Sequence, residues 1–168
     1  VVAQGCRPIG DAMQITACQG NVLYELDGDS PIDILNVLYR NLGKRDQQLA
    51  LHSLFIGMVM DPFNDDPKLG DFLIRNILGA DKDQGALAIS QMLSDGQTVQ
   101  FHLRDAEASS DDLDAMLTKY ATEKPIYEET GAMLFSCLGR GEYLYGRPHH
   151  DPDMFREKIN AMPMTGLF

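Results

Sequence analysis

Four arginines occupy places where a solvated charge is not expected, and they are the residues best suited to bind an anion. All six lysines fall in predicted helices or loops, whereas Arg75 lies in a predicted strand that is apolar on both faces. Arg104 ends an alternating strand, Arg7 precedes the first predicted hairpin, and Arg140 lies between two glycines. A partly desolvated guanidinium needs a carboxylate, a phosphate or several carbonyls. In a chain of net charge -11, this placement predicts a local anion site.

The alternative is that each arginine pairs with one of the 25 acidic residues of the same chain, as Arg104 would with the adjacent Asp105. Structural ion pairs are common, and they perturb charges just as binding sites do. The two interpretations differ in whether the arginines face one cavity, which the sequence does not show.

Cys137 is the residue with the clearest nucleophile chemistry. It ends a predicted buried strand, and His149-His150-Asp151 lies downstream as a base and an orienting group. The alternative is a small buried side chain, which is the usual state of a free cysteine. No cysteine-protease signature surrounds Cys137, so we expect no catalytic residue.

Ser136, Gly139 and Gly141 are instead candidate ligand contacts beside Cys137 and Arg140. A serine hydroxyl supplies hydrogen bonds, and a backbone without a Cβ allows a ligand to approach closely. Gly139-x-Gly141 is not a dinucleotide fingerprint, because Leu144 occupies the place of the third glycine. We therefore expect a small-molecule ligand but no cofactor.

No metal site is expected either. Adjacent histidines, such as His149 and His150, point apart on an extended chain, and no further ligand lies at a diagnostic spacing. The three cysteines form no C-x-x-C pair and no even-numbered disulfide framework. Cysteine usage of this kind indicates a reducing compartment, and we expect a cytoplasmic protein.

Apolar patterns divide the chain into the elements that must position these residues. They predict strands at Met13–Cys18, Val22–Leu26, Leu54–Met60, Phe72–Leu78, Ala86–Met92, Val99–Leu103, Ala132–Leu138 and Pro163–Phe168. Helices are predicted from Ser30-Pro31, over Lys44–Leu51, from the capping box Ser109-x-x-Asp112, and from Asp151-Pro152 with Asp151 as N-cap. Short links, including the hairpin signal Ser94-Asp95-Gly96, favour antiparallel neighbours.

The order of these elements predicts an α+β fold, with a largely antiparallel sheet covered by helices on at least one face. The length of 168 residues favours one domain, 1–168. The chain begins without Met and ends on apolar residues, so we expect a fragment of a larger protein.

Composition excludes several classes of partner. A pI near 4.6 argues against nucleic acid and against anionic membranes, because few cations are present to contact phosphates. No apolar run approaches the ~18 residues of a membrane span.

Four motifs in one order give the sequence a family resemblance. They are Gly5-Cys6-Arg7-Pro8-Ile9-Gly10, Phe72-Leu-Ile-Arg75-Asn76, Leu134-Phe-Ser-Cys137-Leu-Gly-Arg140-Gly141 and His150-Asp151. Together they resemble the C-terminal domain of the FIST family (F-box and intracellular signal transduction), over about Gly5 to Phe168. The resemblance implies a sensory, non-catalytic module that binds a small ligand such as an amino acid. It also implies an N-terminal FIST domain in the same parent chain, and the motif residues Arg7, Arg75, Ser136, Cys137 and Arg140 as site residues.

The functional expectation is therefore a ligand-sensing domain in which Arg75 or Arg104 forms a bidentate fork to a carboxylate. Two alternatives remain open at this stage. A protein-interaction module, for ligase substrate recruitment or dimerisation, predicts a broad exposed apolar surface. A Cys-dependent hydrolase or transferase requires an accessible Cys137 within hydrogen-bond reach of an imidazole.

Overall fold

The computed structural model describes residues 2–64, 66–123 and 131–167. Its helices are α1 (Pro31–Asn41), α2 (Lys44–Ala50), α3 (Ala106–Glu123), α4 (Glu142–Tyr145) and α5 (His150–Lys158). Its strands are β1 (Cys6–Gln19), β2 (Val22–Leu26), β3 (Leu54–Val59), β4 (Phe72–Asp81), β5 (Ala86–Ile89), β6 (Thr98–Arg104), β7 (Ala132–Phe135) and β8 (Met164–Leu167). The predicted α+β class with a mostly antiparallel sheet is confirmed.

The chain divides into two compact units, which are described separately. The barrel unit is residues 6–104, and the helical unit is residues 1–5 together with 105–168. The assignment of 1–168 to a single domain stays a prediction, because a division by contacts does not decide whether two units fold independently.

The barrel unit is a closed sheet of six strands in the order β1-β2-β5-β4-β3-β6, with all neighbours antiparallel. The 14-residue β1 closes it by pairing with β6 over its first part and with β2 over its last part. The register with β6 shifts between Ile9 and Met13, where Gly10 has a left-handed φ of 64°. A glycine adopts that conformation without a steric cost, and the resulting irregularity bends the strand.

Alternation along the strands fills the barrel interior with apolar side chains. Ile56 and Met58 of β3 lie beside Val99 and Phe101 of β6, and all four are almost completely buried. Apolar residues of α1 and α2, such as Leu38, pack against this core. Burying each large aliphatic or aromatic side chain contributes about 1.5–3 kcal/mol, so the interior is the main source of stability in this unit.

A cavity of about 180 Å³ lies where α1 and α2 meet the barrel. Apolar side chains such as Ile9, Leu38 and Leu54 form most of its wall, with Asn36 and Tyr39 as polar members. The nine residues that line it include no charged side chain. This cavity therefore offers no fork for a carboxylate.

The opposite face of β3 and β6 carries a buried histidine. His102 is fully buried, its ring packs edge-on against Phe72 at 4.7 Å between centroids, and Nδ1 lies 3.0 Å from the Gln100 carbonyl. Burial lowers the pKa of His102, and the Gln100 carbonyl offsets this only in part. The imidazole is therefore neutral at pH 7.

The helical unit packs α3 against α5, with an ion pair of 2.6 Å between Lys158 Nζ and Asp114 Oδ1. In the same unit β7 and β8 form a two-stranded parallel sheet. Among the described residues no helix combines the length and the apolar character needed to cross a membrane.

Several local predictions are confirmed. The helix α1 begins at Pro31 as predicted, and its N-cap Ser30 accepts a hydrogen bond of 3.4 Å from the Asp33 backbone N–H. The predicted hairpin of β1 with β2 is present, and so is the short helix α2.

The predicted hairpin at Ser94-Asp95-Gly96 is wrong. The strands β5 and β6 are not neighbours, because β5 pairs with β2 and β4 while β1 and β3 occupy both edges of β6. The long β1, which the sequence predicts only from Met13, takes the edge that a hairpin would need.

Two predicted helix starts are also wrong. The helix α3 begins at Ala106, and the Asp105 carboxylate accepts a 3.1 Å hydrogen bond from the Glu107 backbone N–H, so Ser109 lies inside the helix and is buried. The helix α5 begins at His150, one residue before the predicted N-cap Asp151. In both cases the side chain predicted as a cap has polar partners within the helical unit instead.

We predict that Gly57→Ala destabilises the barrel unit. A Cβ on Gly57 would lie 2.5 Å from Cε1 and 2.7 Å from Nδ1 of the ring of His102, which is fully buried. Overpacking of this kind costs about 1–3 kcal/mol. Denaturant unfolding monitored by circular dichroism should show a lower midpoint.

The matched control for this substitution is Gly79→Ala in β4. No atom lies within 4 Å of a Cβ at Gly79, and its φ is not positive. The midpoint of this variant should equal or exceed that of the wild type. Equal midpoints for all three proteins would contradict the packing of His102 on Gly57.

Candidate functional site

The helical unit contains a buried polar network built around Arg140. Arg140 lies in the turn after β7, and its Nε and Nη2 donate to Asp151 Oδ2 at 2.7 Å and Oδ1 at 3.0 Å. Its Nη1 donates to the Ser109 hydroxyl of α3 at 2.8 Å. This bidentate pair of hydrogen bonds to the first turn of α5 is the strongest interaction that an arginine and a carboxylate form. It neutralises the Arg140 charge within the chain.

His150 extends the network through both of its ring nitrogens. Its Nδ1 lies 2.8 Å from Asp151 Oδ1, and its Nε2 lies 3.0 Å from the Ser110 hydroxyl. Its ring stacks on Tyr145, with 3.6 Å between centroids and 7° between planes. The Tyr145 hydroxyl is 2.8 Å from the Ser109 hydroxyl, which closes the network.

The electrostatics of Asp151 follow from these contacts. Burial alone would raise the pKa of the Asp151 carboxyl, but hydrogen bonds from Arg140 and His150 outweigh it and hold the pKa below its usual value. Burial also raises the pKa of Tyr145, so the phenol stays protonated. The network is therefore an ionised pair of Arg140 and Asp151 surrounded by hydrogen-bonding side chains.

The order Ser110, His150, Asp151 is that of a nucleophile, a base and an orienting carboxylate. In this network both oxygens of Asp151 already accept hydrogen bonds from Arg140, so the carboxylate is not reserved for orienting His150. The ring of His150 is only 4% exposed. These features favour a structural role, in which the network fixes the turn after β7 to α3 and α5.

Cys137 is exposed, which corrects the alternative of a buried cysteine in a central strand. The reason is that β7 ends at Phe135 and is not buried, whereas the sequence predicts a buried strand to Leu138. Both ring nitrogens of His150 are occupied by Ser110 and Asp151, so that imidazole does not serve Cys137. The backbone N–H of the neighbouring Ser136 donates to the Leu167 carbonyl at 3.0 Å.

Gly139 and Gly141 flank Arg140 in this turn. Gly141 has a left-handed φ of 116° and directly precedes α4, and no atom lies within 4 Å of a Cβ built on it. The backbone at Gly141 is therefore open, while the Arg140 side chain between the two glycines is engaged by Asp151.

The barrel unit holds the other three predicted arginines, and their partners differ. Arg7 of β1 forms an ion pair with Asp46 of α2. Arg104 lies over the Phe55 ring, with the guanidinium carbon 4.7 Å from the ring centroid. Among residues 2–64, 66–123 and 131–167, no carboxylate pairs with Arg104.

Arg75 is the half-buried arginine held by neutral acceptors. Its Nε donates to the Gln91 side-chain oxygen, and its Nη1 donates to the Ile74 carbonyl at 3.0 Å. No carboxylate in the described part of the chain forms an ion pair with it. The fold thus positions the guanidinium of Arg75, and no carboxylate of the described chain neutralises its charge.

The strand register separates these arginines. Arg104 pairs with Cys6, whereas Arg7 pairs with Leu103, so Arg7 and Arg104 point to opposite faces of the sheet. Arg75 pairs with Ile56, which places it on the same face as Arg7. The barrel unit therefore does not bring its three arginines to one point, and Arg140 belongs to the other unit. The alternative of internal ion pairs holds for Arg7 and Arg140.

Sequence reasoning missed the partners that decide these outcomes. Gln91 and Asp46 carry no motif, and Tyr145 carries none either. Ser109 was visible only as part of a predicted capping box, and its buried position inside α3 reverses that interpretation. The motif His150-Asp151 was the one available signal for the network.

Within the described ranges, no three His, Cys, Asp or Glu side chains are grouped so as to hold a metal ion. The three cysteines Cys6, Cys18 and Cys137 are free.

Comparison with known families identifies the class of protein. A family model described as the FIST C domain matches residues 34–168, and one described as the FIST N domain matches residues 1–29. The chain therefore belongs to the FIST family, whose domains are signal-transduction domains. The first match ends after β2 and the second begins within α1, so both matched segments contribute strands to one closed barrel.

Individual relatives agree with this assignment. The chain is 39% identical over its whole length to an uncharacterised protein of Mycobacterium tuberculosis, of which it covers 44%. It is 37% identical over its whole length to an uncharacterised protein of Mycobacterium bovis, covering 43% of it. An F-box/LRR-repeat protein of Arabidopsis thaliana is 27% identical in an alignment of 150 positions that covers 85% of this chain and 27% of that protein. The chain thus spans less than half the length of these relatives, and no solved structure matches it.

We predict that Asp151→Asn lowers the free energy of unfolding at pH 7 by about 2–3 kcal/mol, because it leaves the buried Arg140 charge without a carboxylate. A carboxyl with a lowered folded pKa stabilises the fold above its unfolded pKa of about 3.9 and loses that contribution as pH falls through the folded pKa. The gap between variant and wild type should therefore be full above about pH 5 and shrink below about pH 4. Denaturant titrations at several pH values measure it.

The matched control is Asp153→Asn, two residues later on the same helix. Asp153 is exposed and contacts the exposed Arg156 at 3.3 Å. Exposed pairs of this kind contribute little, so its stability should stay close to wild type at every pH. A gap for Asp151→Asn that is equally small, or that grows on acidification, would contradict the proposed ion pair.

Proposed function

We propose that this chain is a sensory signal-transduction domain that binds a small carboxylate-bearing ligand such as an amino acid, and that Arg75 binds the carboxylate. The observation that carries the proposal is the state of the Arg75 guanidinium. It is half-buried, it is oriented by Gln91 and by the Ile74 carbonyl, and the described chain gives it no carboxylate.

A positive charge partly removed from water without a counter-charge is unfavourable, and a chain of net charge -11 has many carboxylates that could have met it. The neutral acceptors on Nε and Nη1 leave Nη2 available to a ligand oxygen. A charge-assisted hydrogen bond contributes about 1.5–3 kcal/mol, which suits reversible sensing of a metabolite.

Apolar surface lies beside this guanidinium. Leu73 and Ile77 flank Arg75 on the same face of β4, and Leu73 is 41% exposed. A ligand with one carboxylate and an apolar body matches this combination, because its charged end meets Arg75 while its body covers Leu73.

The other predicted ligand residues take different places in the proposal. Arg104, whose guanidinium lies over the Phe55 ring, is the second candidate for binding the carboxylate. At Arg7 and Arg140 a ligand would have to displace Asp46 or Asp151, which makes them poorer anchors. Contacts from Ser136, Cys137, Gly139 and Gly141 stay predictions, for which the structure adds no argument.

The setting of the protein is part of the same proposal. Three free cysteines are in keeping with a reducing, cytoplasmic location. The match of residues 1–29 to the FIST N domain supports an N-terminal FIST domain in the parent protein as the neighbouring partner.

Calorimetric titration of the chain with a panel of amino acids and dicarboxylic acids tests the proposal. We expect at least one ligand to bind and Arg75→Gln to weaken it about 10- to 100-fold, as loss of a charge-assisted contact requires. Arg75→Lys should recover part of the loss, because it keeps the charge but not the fork.

The control is Arg156→Gln, which removes an exposed arginine of α5 and should leave binding unchanged. No heat with any member of the panel would count against ligand sensing. Binding that Arg75→Gln leaves intact would refute Arg75 as the anchor, and Arg104→Gln would then test the second candidate.

A further inference from the structure

One face of the small sheet formed by β7 and β8 is apolar and exposed to solvent. Met133, Phe135 and Leu167 lie on this face, and they are 69%, 65% and 70% exposed. In the parallel register Phe135 is the neighbour of Leu167, and Met133 is the neighbour of Thr165. Leu138, shortly after β7, is 90% exposed. We name these four apolar residues, Met133, Phe135, Leu138 and Leu167, the β7–β8 face.

Such a face is unusual for a parallel sheet. Parallel strands occur almost only where both faces are covered, and a sheet of two strands is marginal without packing against another layer. The other side of this sheet, with Leu134 and Met164, is half-buried. Within the described residues, no layer covers the exposed side as parallel strands normally require.

We propose that a second copy of this chain covers the β7–β8 face, through a two-fold axis that packs the two small sheets face to face. A two-fold axis requires a surface that is complementary to itself. An uncharged apolar surface meets that condition, whereas a surface with charges of one sign does not. The strands β7 and β8 contain no charged residue, although the chain as a whole has a net charge of -11.

The size of the face determines how strong this dimer is. Four large apolar side chains bury roughly 500 Å² per copy, below the roughly 800 Å² per partner of a standard interface. The dimer is therefore weak, with a Kd on the order of 10 µM. The net negative charge of each copy opposes association over a distance that salt shortens to about 8 Å at physiological ionic strength. Association is accordingly stronger at high salt than at low salt.

Sedimentation of the full chain from 1 to 200 µM, which extends about tenfold below and about twentyfold above this Kd, tests the dimer. The weight-average mass should rise from the 18.7 kDa of one copy towards that of two copies, and the rise should begin at lower concentration in high salt. Phe135→Asp should weaken association at least tenfold, because it places a charge at the centre of the interface. Leu167→Asp, on the partner strand, should do the same.

Phe63→Asp is the matched control, since Phe63 is 89% exposed in the barrel unit and should leave the mass profile unchanged. Circular dichroism verifies that each variant is folded, and the two strand variants substitute for one another if one is not. A mass of one copy at 200 µM in high salt would overturn the proposal and assign the face to a different partner. A dimer that tolerates both strand substitutions would overturn it as well, by placing the interface elsewhere.

Discussion

The constraint on which this structure depends is the cost of taking a guanidinium out of water. In the helical unit another residue of the chain offsets that cost, because Arg140 forms a bidentate ion pair with Asp151. Arg140 also donates a hydrogen bond to the Ser109 hydroxyl. Arg7 is neutralised in the same way by Asp46. Arg75 is treated differently, with Gln91 and a backbone carbonyl as its partners. The two neutralised arginines hold elements together, and we propose that the third binds the carboxylate of a ligand.

Local structure followed from the sequence wherever neighbouring residues decide it. Ser30 and Pro31 start α1 as their chemistry requires, and the predicted ends of β2 to β8 lie within three residues of the observed ones, whereas β1 begins well before the predicted Met13. Pairing between strands was not predictable in the same way, because it depends on the length of β1 and on the bend at Gly10 that lets β1 serve two neighbours. The failed hairpin between β5 and β6 shows this limit: a good turn signal does not decide which strand occupies an edge.

The candidate site was harder to predict because its partners are distant in sequence and carry no motif. The arginines could be selected from their unusual placement, but whether each meets a carboxylate depends on side chains that the fold brings in. Asp46 lies 39 residues from Arg7, and Gln91 lies 16 residues from Arg75. The prediction that β7 is buried was wrong for a related reason. An apolar tetrapeptide predicts burial only if another layer covers it, and here one face has none in the described chain.

Membership of the FIST family establishes a signal-transduction domain, and we propose that this domain binds its ligand through Arg75. The most direct measurement is a nuclear magnetic resonance titration of the arginine Nε–H signals with acetate, the simplest carboxylate. The account predicts that the Arg75 signal and the Gln91 side-chain amide shift together and saturate, while the Arg140 signal stays fixed on Asp151. Equal, unsaturable shifts at all arginines, or a fixed Arg75 signal, would contradict it.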